Sequence, residues 1–254
     1  MHGRVGENAA ALADSGNNLL RALRPADAAI LDPYLEPWIG RRGEVIYEPG
    51  DTVTSVYFPC ASSMISYLVV LQNGMGVEAA LVGREGAIGG IVSQGRLSAF
   101  ARAEVQFPGP FMCMAVADLE RAKERSPTLG NLFARYADCM MAQIFQSVAC
   151  NAAHSIEQRT AKWLLAAVER TGGPSIPLMQ DQLAAMLGVG RSYISRVLGT
   201  FKQRAIIDVH RGELVIRNLE ALRAMACECN ECIRAHFDEV LSGVYPVEDE
   251  LIAA

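Results

Sequence analysis

Two rhythms of apolar residues divide the chain. From Gly40 to about Ala117, short apolar runs are cut by glycine-bearing turns. Glu44-Val45-Ile46-Tyr47 leads into Glu48-Pro49-Gly50-Asp51, a strong turn signal. Ser55 to Phe58, Met64 to Leu71 and Val77 to Leu81 are expected strands, the last two joined at Gln72-Asn73-Gly74. Gln106 to Met114 closes the series, broken by Pro108 and Pro110. Many short strands at regular spacing predict a small antiparallel barrel or jelly roll. After Ser126-Pro127 the period lengthens: Leu129, Leu132, Phe133, Tyr136, Met140, Ile144 and Val148 recur at helical spacing to about Asn151. Arg135 and Asp138 are the only charges in that stretch. A helix so poor in charge is covered on most sides. The barrel covers one side and a twin helix the other, which makes the chain a homodimer; the alternative is a helix buried within a monomer.

A further helix begins near His154, with Ser155 as its cap and Gln158 at the capping-box position, and Gly172-Gly173-Pro174 ends it. Met179 to Gln203 then reads as two short helices. Leu183, Met186 and Leu187 give the first an apolar face, and Ile194, Val197, Leu198 and Phe201 do the same for the second. Gly188-Val189-Gly190 between them turns the chain sharply, as a helix-turn-helix requires. The remaining face of the second helix carries Arg191, Ser192, Tyr193, Ser195, Arg196 and Lys202. An arginine fork there can hold guanine O6 and N7 together, worth about 1–3 kcal/mol against a wrong base, or clamp a phosphate. Ala205 to Val209 and Glu213 to Arg217, joined by His210-Arg211-Gly212, predict a hairpin that serves as a wing, with Arg211 at its tip. These residues are the candidate DNA contacts.

Met179 to Arg217 resembles the DNA-binding domain of the Crp/Fnr family of bacterial transcription regulators, and the resemblance extends over most of the chain. Ser195-Arg196 falls where the Fnr-like branch has a Ser-Arg pair, and Arg191 at the family's arginine near the start of the recognition helix. Ser192 replaces the family's frequent glutamate. Arg41-Arg42-Gly43-Glu44 through Pro49-Gly50-Asp51 looks like the opening hairpin of a cyclic-nucleotide-binding β-roll. The resemblance implies a pocket in which a Gly-Glu pair and an Arg-Ser/Thr-Ala triplet receive phosphate and ribose. Here the matching region is Gly83-Arg84-Glu85-Gly86, then Arg96-Leu97-Ser98-Ala99. Arg84 interrupts the pair, and Arg96 stands one position early, which on a strand turns it to the other face. Gly83, Arg84, Glu85, Arg96 and Ser98 are the candidate effector residues of a degenerate pocket. Cyclic AMP would bind only if a bulge restored Arg96; otherwise the barrel senses another ligand or none. RNA polymerase and an unknown small-molecule effector are the further partners implied.

The expected fold class is α+β. A flexible segment (1–20) precedes an antiparallel β-roll sensor (21–125) and a dimerisation helix (126–151). A winged helix-turn-helix (152–217) and an acidic C-terminal helix and tail (218–254) follow. Net charge of −5 over 254 residues argues against nonspecific coating of nucleic acid but not against a local basic face. No signal peptide or membrane span is read, so a cytoplasmic protein without membrane partners is expected. A cupin-like metalloenzyme would need clustered histidines. None of His2, His154, His210 and His236 lies between Gly40 and Ala117, no nucleophile–base pair or P-loop is found, and no catalytic residue, metal or cofactor is assigned. The seven cysteines read as reduced thiols. In Cys227-Glu228-Cys229-Asn230-Glu231-Cys232, Cys229 and Cys232 are expected to share a helix face, with Cys227 pointing elsewhere and the glutamates raising the thiol pKa values.

Overall fold

The computed structural model describes residues 16–92, 95 and 97–242. Among the described residues, two short α-helices, α1 (Asn18–Arg21) and α2 (Pro25–Leu31), and a 3-10 turn (Asp32–Tyr34) precede seven strands of the N-terminal half. The strands are β1 (Glu36–Gly40), β2 (Val45–Tyr47), β3 (Ser55–Pro59), β4 (Met64–Val70), β5 (Gly76–Val82), β6 (Arg102–Phe107) and β7 (Gly109–Ala115). They form two antiparallel sheets, ordered β1-β7-β3 and β2-β6-β4-β5. The stretch read as one closing run is two strands in different sheets. Pro108, which has no amide to donate to a ladder, and Gly109, at φ +152°, carry the chain from one sheet to the other. Val56, Phe58, Ile65, Val105 and Phe111 point between the sheets and pack with Leu129, Phe133 and Tyr136 from the helix beyond them.

Residues 17–20, expected to belong to a flexible segment, are instead packed into the fold. Asn17 is buried, donates to the carbonyls of Pro59 and Gly86 at 2.8 Å each, and accepts from the amide of Leu20 to cap α1. Leu19 and Leu20 thereby reach the barrel core. Residues 1–15 lie outside the described residues.

Helix α3 (Val116–Arg125) leads into the long α4 (Pro127–Ala153), capped by the Ser126 hydroxyl on the amide of Leu129. Its buried side chains, Leu129, Leu132, Phe133, Tyr136, Cys139, Gln143 and Cys150, form one stripe. Met141, Ile144, Phe145 and Val148 form another, and that stripe is exposed. His154 adopts an extended conformation at the end of α4, and Ser155 starts α5 (Ile156–Thr171) through a reciprocal capping box with Gln158. Gly172, at φ +69°, takes the left-handed conformation that stops α5.

After strand β8 (Ser175–Ile176) come α6 (Gln180–Met186) and α7 (Arg191–Gln203), then β9 (Ile207–His210), β10 (Glu213–Ile216), α8 (Leu219–Met225) and α9 (Cys229–Val240). Strands β8, β10 and β9 make a third antiparallel sheet. A second core gathers Trp163, Leu164, Leu183, Ile194, Leu198 and Phe201. It also takes in Met64, Leu68, Leu81 and Phe107 from the four-stranded sheet, so the helix-turn-helix docks on the barrel of its own chain.

Candidate nucleic-acid interface

Helix α7 is two-faced because its apolar residues fall at positions 194, 197, 198 and 201. Ile194, Val197, Leu198 and Phe201 are at most 2% exposed. Full burial of such side chains is worth about 1.5–3 kcal/mol each, which fixes which face is left for water. Arg191, Ser192, Tyr193, Ser195, Arg196 and Lys202 are all exposed on that remaining face. Gly188, at φ +68°, makes the turn between α6 and α7 in a conformation that costs a β-carbon residue energy. Gly190 precedes α7 and offers no side-chain cap, so the positive end of the helix is open beside Arg191.

Three local interactions shape this face. Arg191 Nε lies 3.0 Å from Asp181 Oδ1 in the first turn of α6, with both side chains largely solvated. The Arg196 guanidinium sits 5.3 Å from the centre of the Tyr193 ring, a cation–π arrangement that restricts its rotamers. In the wing, Arg211 is exposed at the β9–β10 turn, where Gly212 has φ +78°. Arg217 pairs with Asp208 across the wing at 2.6 Å, and that hydrogen bond holds the Asp208 carboxyl below its ordinary pKa. Asp181 and the Tyr193–Arg196 stack were not singled out by sequence pattern; both are neighbours at short range once the turn is closed.

The candidate effector residues are only partly brought together. Arg84 and Glu85 line a cleft of about 550 Å³ between the barrel, α4, α5 and α9, and Gly83 is buried behind them. Glu85 Oε1 accepts from the Gly83 amide at 3.0 Å and from Arg170 Nε of α5 at 2.9 Å. A β-carbon on Gly86 would stand 2.0 Å from the Tyr136 hydroxyl, so this turn is packed tightly against α4. Ser98 is exposed, bridges to Thr52 and does not line the cleft. Arg96 lies outside the described residues. In the wall of the cleft, Glu78 accepts from Trp163 Nε1 at 2.9 Å and from the Ser66 hydroxyl at 2.5 Å. Burial raises its pKa against the opposing pull of these hydrogen bonds.

The C-terminal cysteines differ from expectation. Cys229 is buried and Cys232 is exposed, so they do not share an environment. Cys227 precedes α9 rather than lying on it, so helical spacing does not separate it from Cys229. Both join Cys150 and His154 from the end of α4. Burial is the main cause that pushes the Cys227 thiol up to about 12, while Glu228 faces His154 instead. The signal that sequence reading passed over is Cys150 and His154, four residues apart where α4 ends.

A two-faced helix behind a glycine turn, followed by a hairpin with an exposed arginine at its tip, defines a winged helix-turn-helix, here attached to a double-sheet β-roll. Residues 158–225 match the Crp-like helix-turn-helix domain family. The chain is 23% identical over 216 residues to the global nitrogen regulator of Synechococcus elongatus, a match spanning 81% of this chain and 96% of that protein. Among solved structures, FixK2 from Bradyrhizobium japonicum shares the fold with a TM-score of 0.65 at 18% identity, over 76% of this chain and 98% of that one. A CRP/FNR-family regulator from Thermus thermophilus does so at 0.60 and 20% identity, over 75% and 98%. The chain thus carries a Crp-like helix-turn-helix domain and is similar over most of its length to transcription regulators of the Crp/Fnr type. Among the described residues, no helix is long and apolar enough to cross a membrane.

Proposed function

We propose that the chain acts as a homodimer that reads a two-fold symmetric DNA site with α7. Arg191, Ser192, Tyr193, Ser195 and Arg196 make the base and nearby phosphate contacts, and Lys202 and Arg211 hold the backbone. The observation that carries this reading is the outward donor face of α7 over an apolar face at most 2% exposed. Paired recognition helices read half-sites one helical turn apart, which requires a two-fold partner. The exposed Met141, Ile144, Phe145 and Val148 stripe on α4 supports such a partner, because a second copy of the helix would cover it. Domain limits at 125, 151 and 217 follow the same division of labour: β-roll sensor, dimerisation helix, DNA reader. A DNA-binding regulator works where the chromosome is, so the proposal assigns the chain to the cytoplasm, with RNA polymerase as a further partner and no catalytic role.

Response to an effector is proposed to be a population shift. A ligand or redox event at the barrel changes how α5 and α6 pack on it and so reorients the two copies of α7. Because Glu85 is already bound to Arg170, the Gly83–Glu85 turn is proposed to have traded cyclic-nucleotide binding for a structural link to the DNA reader.

The test is DNA selection from a random library at fixed salt, with and without cyclic nucleotides, since affinity without a stated salt concentration is uninterpretable. Enrichment of a palindrome without nucleotide is the expected result. A strict requirement for cyclic AMP would overturn the account of the pocket. Failure to enrich any sequence under either condition would overturn the DNA reading itself.

A further inference from the structure

At the junction between the long helix and the DNA reader, four metal-ligating side chains converge. Cys150 occupies the last turn of α4, and His154 ends it. Cys227 and Cys229 arrive from the opposite side, at the start of α9. The sulfurs of Cys150, Cys227 and Cys229 and a ring nitrogen of His154 all lie within 4.8 Å of one another. Cys150 Sγ is 3.6 Å from Cys227 Sγ, and Cys229 Sγ is 3.5 Å from His154 Nδ1. The three cysteines are at most 3% exposed and form a small core of their own.

Tetrahedral zinc holds sulfur at about 2.3 Å and imidazole nitrogen at about 2.0–2.1 Å, which sets ligand separations of about 3.8 Å between sulfurs and about 3.6 Å from sulfur to nitrogen. The Cys150–Cys227 and Cys229–His154 separations of 3.6 and 3.5 Å agree with those figures before any ion is present. The sulfurs are not bonded to one another, since a disulfide requires about 2.05 Å. The outer groups also suit a metal. His154 Nε2 faces Glu228 Oε1 at 3.5 Å, the carboxylate–histidine arrangement that orients a ligating ring and leaves Nδ1 for the ion. Gln146 Nε2 donates to Cys229 Sγ at 3.2 Å, as an outer-shell amide does to a thiolate. Lys162, whose charge acts on Cys150, offsets the net negative charge that three thiolates leave around a divalent ion.

We propose that Cys150, His154, Cys227 and Cys229 form a site for one zinc ion, which clamps the end of α4 to the start of α9. On binding, the three thiols release their protons to solvent and the ion takes three thiolates and one neutral imidazole; no electron is transferred. Iron–sulfur clusters commonly take four thiolates. With histidine as the fourth donor and all donors this close, the set converges on a single ion. The site is independent of the DNA reading, because its metal content is measured without DNA.

The test uses the full chain purified under reducing conditions without chelator. Elemental analysis should give one zinc per chain. Replacement by cobalt(II) should give the visible bands of a tetrahedral thiolate site. Cys150→Ser and Cys229→Ser should lower bound zinc at least tenfold, whereas Cys232→Ser, at an exposed cysteine outside the cluster, should keep it. Should those variants fail to fold, alkylation of the native chain decides: zinc should protect Cys150, Cys227 and Cys229 and leave Cys232 reactive. Any of four results would overturn the proposal: no zinc and no cobalt spectrum from reduced protein, zinc fully retained in the double Cys150→Ser/Cys229→Ser chain, iron with acid-labile sulfide in place of zinc, or a Cys150–Cys227 disulfide.

Discussion

On α7, Arg191 and Arg196 face outward over a buried apolar stripe; at the Gly83–Gly86 turn, Arg84 is exposed but the Glu85 carboxylate is directed inward, to Arg170 of α5. Glu85 accepts from Gly83 and Arg170, and Tyr136 closes over Gly86. Both places combine glycine with charged residues, and in sequence both resemble ligand-binding elements of Crp/Fnr regulators. What separates them is the source of their surroundings. The outward face of α7 is decided by the helix's own period, within thirteen residues. The turn's environment is decided by α4 and α5, which pack on it from far along the chain. A glycine-bound charged residue therefore signals a ligand site only where no other segment of the chain has claimed it.

The strongest way to break this contrast is to remove the inward arginine. Arg170→Ala takes the guanidinium from Glu85 at a joint where each side chain is 21% exposed. Breaking a buried pair costs about 3–5 kcal/mol, and the partial exposure puts this one near the lower end, about 3 kcal/mol. Denaturant midpoints at constant slope are the measurement. A stability equal to that of the unaltered chain would mean that Glu85 is not structurally committed, and the turn would return as an effector site.

Arg196→Ala is the matching change on the outer face. Its side chain packs on Tyr193 alone among the rings, so stability should move by no more than about 0.5 kcal/mol. Binding to the selected DNA site should weaken by about 1–3 kcal/mol, with relaxed base choice at one position. Fluorescence titration against cognate and random duplexes at one salt concentration reads both. Equal losses on the two duplexes would assign Arg196 to phosphate, and a stability loss matching that of Arg170→Ala would erase the contrast.

The parts legible in the sequence are those governed by neighbours. The strands β2 to β5, the Ser155 capping box, the Gly172 stop, the glycine turn before α7 and the wing all rest on residues within a few positions of each other. Strand β1 was not read: Pro37 interrupts its pattern and its burial does not alternate, features suited to its place at the edge of a sheet. The anchoring of Asn17 has no local signal because its partners are Pro59 and Gly86. The cysteine cluster was half visible, since Cys150 and His154 join it from more than seventy positions away. Nor did any local pattern announce that Trp163 would reach Glu78, and so join the DNA reader to the barrel.

That last joint gives the finest test of how inward charge differs from outward charge. Glu78 holds the Ser66 hydroxyl and the Trp163 indole together, and burial raises its pKa above the ordinary carboxylate value of 4.5. A raised pKa means the folded chain binds this proton more tightly than the unfolded chain does. The favourable contribution is thus complete below the ordinary glutamate range and is lost as pH climbs through the raised value. Glu78→Gln is permanently neutral; its carbonyl can accept from Trp163 while its amide donates to Ser66 Oγ, so both hydrogen bonds persist. The expected stability change is under about 1 kcal/mol at any pH, for that reason. Its sign is informative: denaturant midpoints of the two chains should lie closest at acid pH and separate upward from it, with the glutamine chain the more stable. Parallel curves across that range would show that Glu78 ionises as freely as an exposed carboxylate, and that the joint between barrel and reader is open to water.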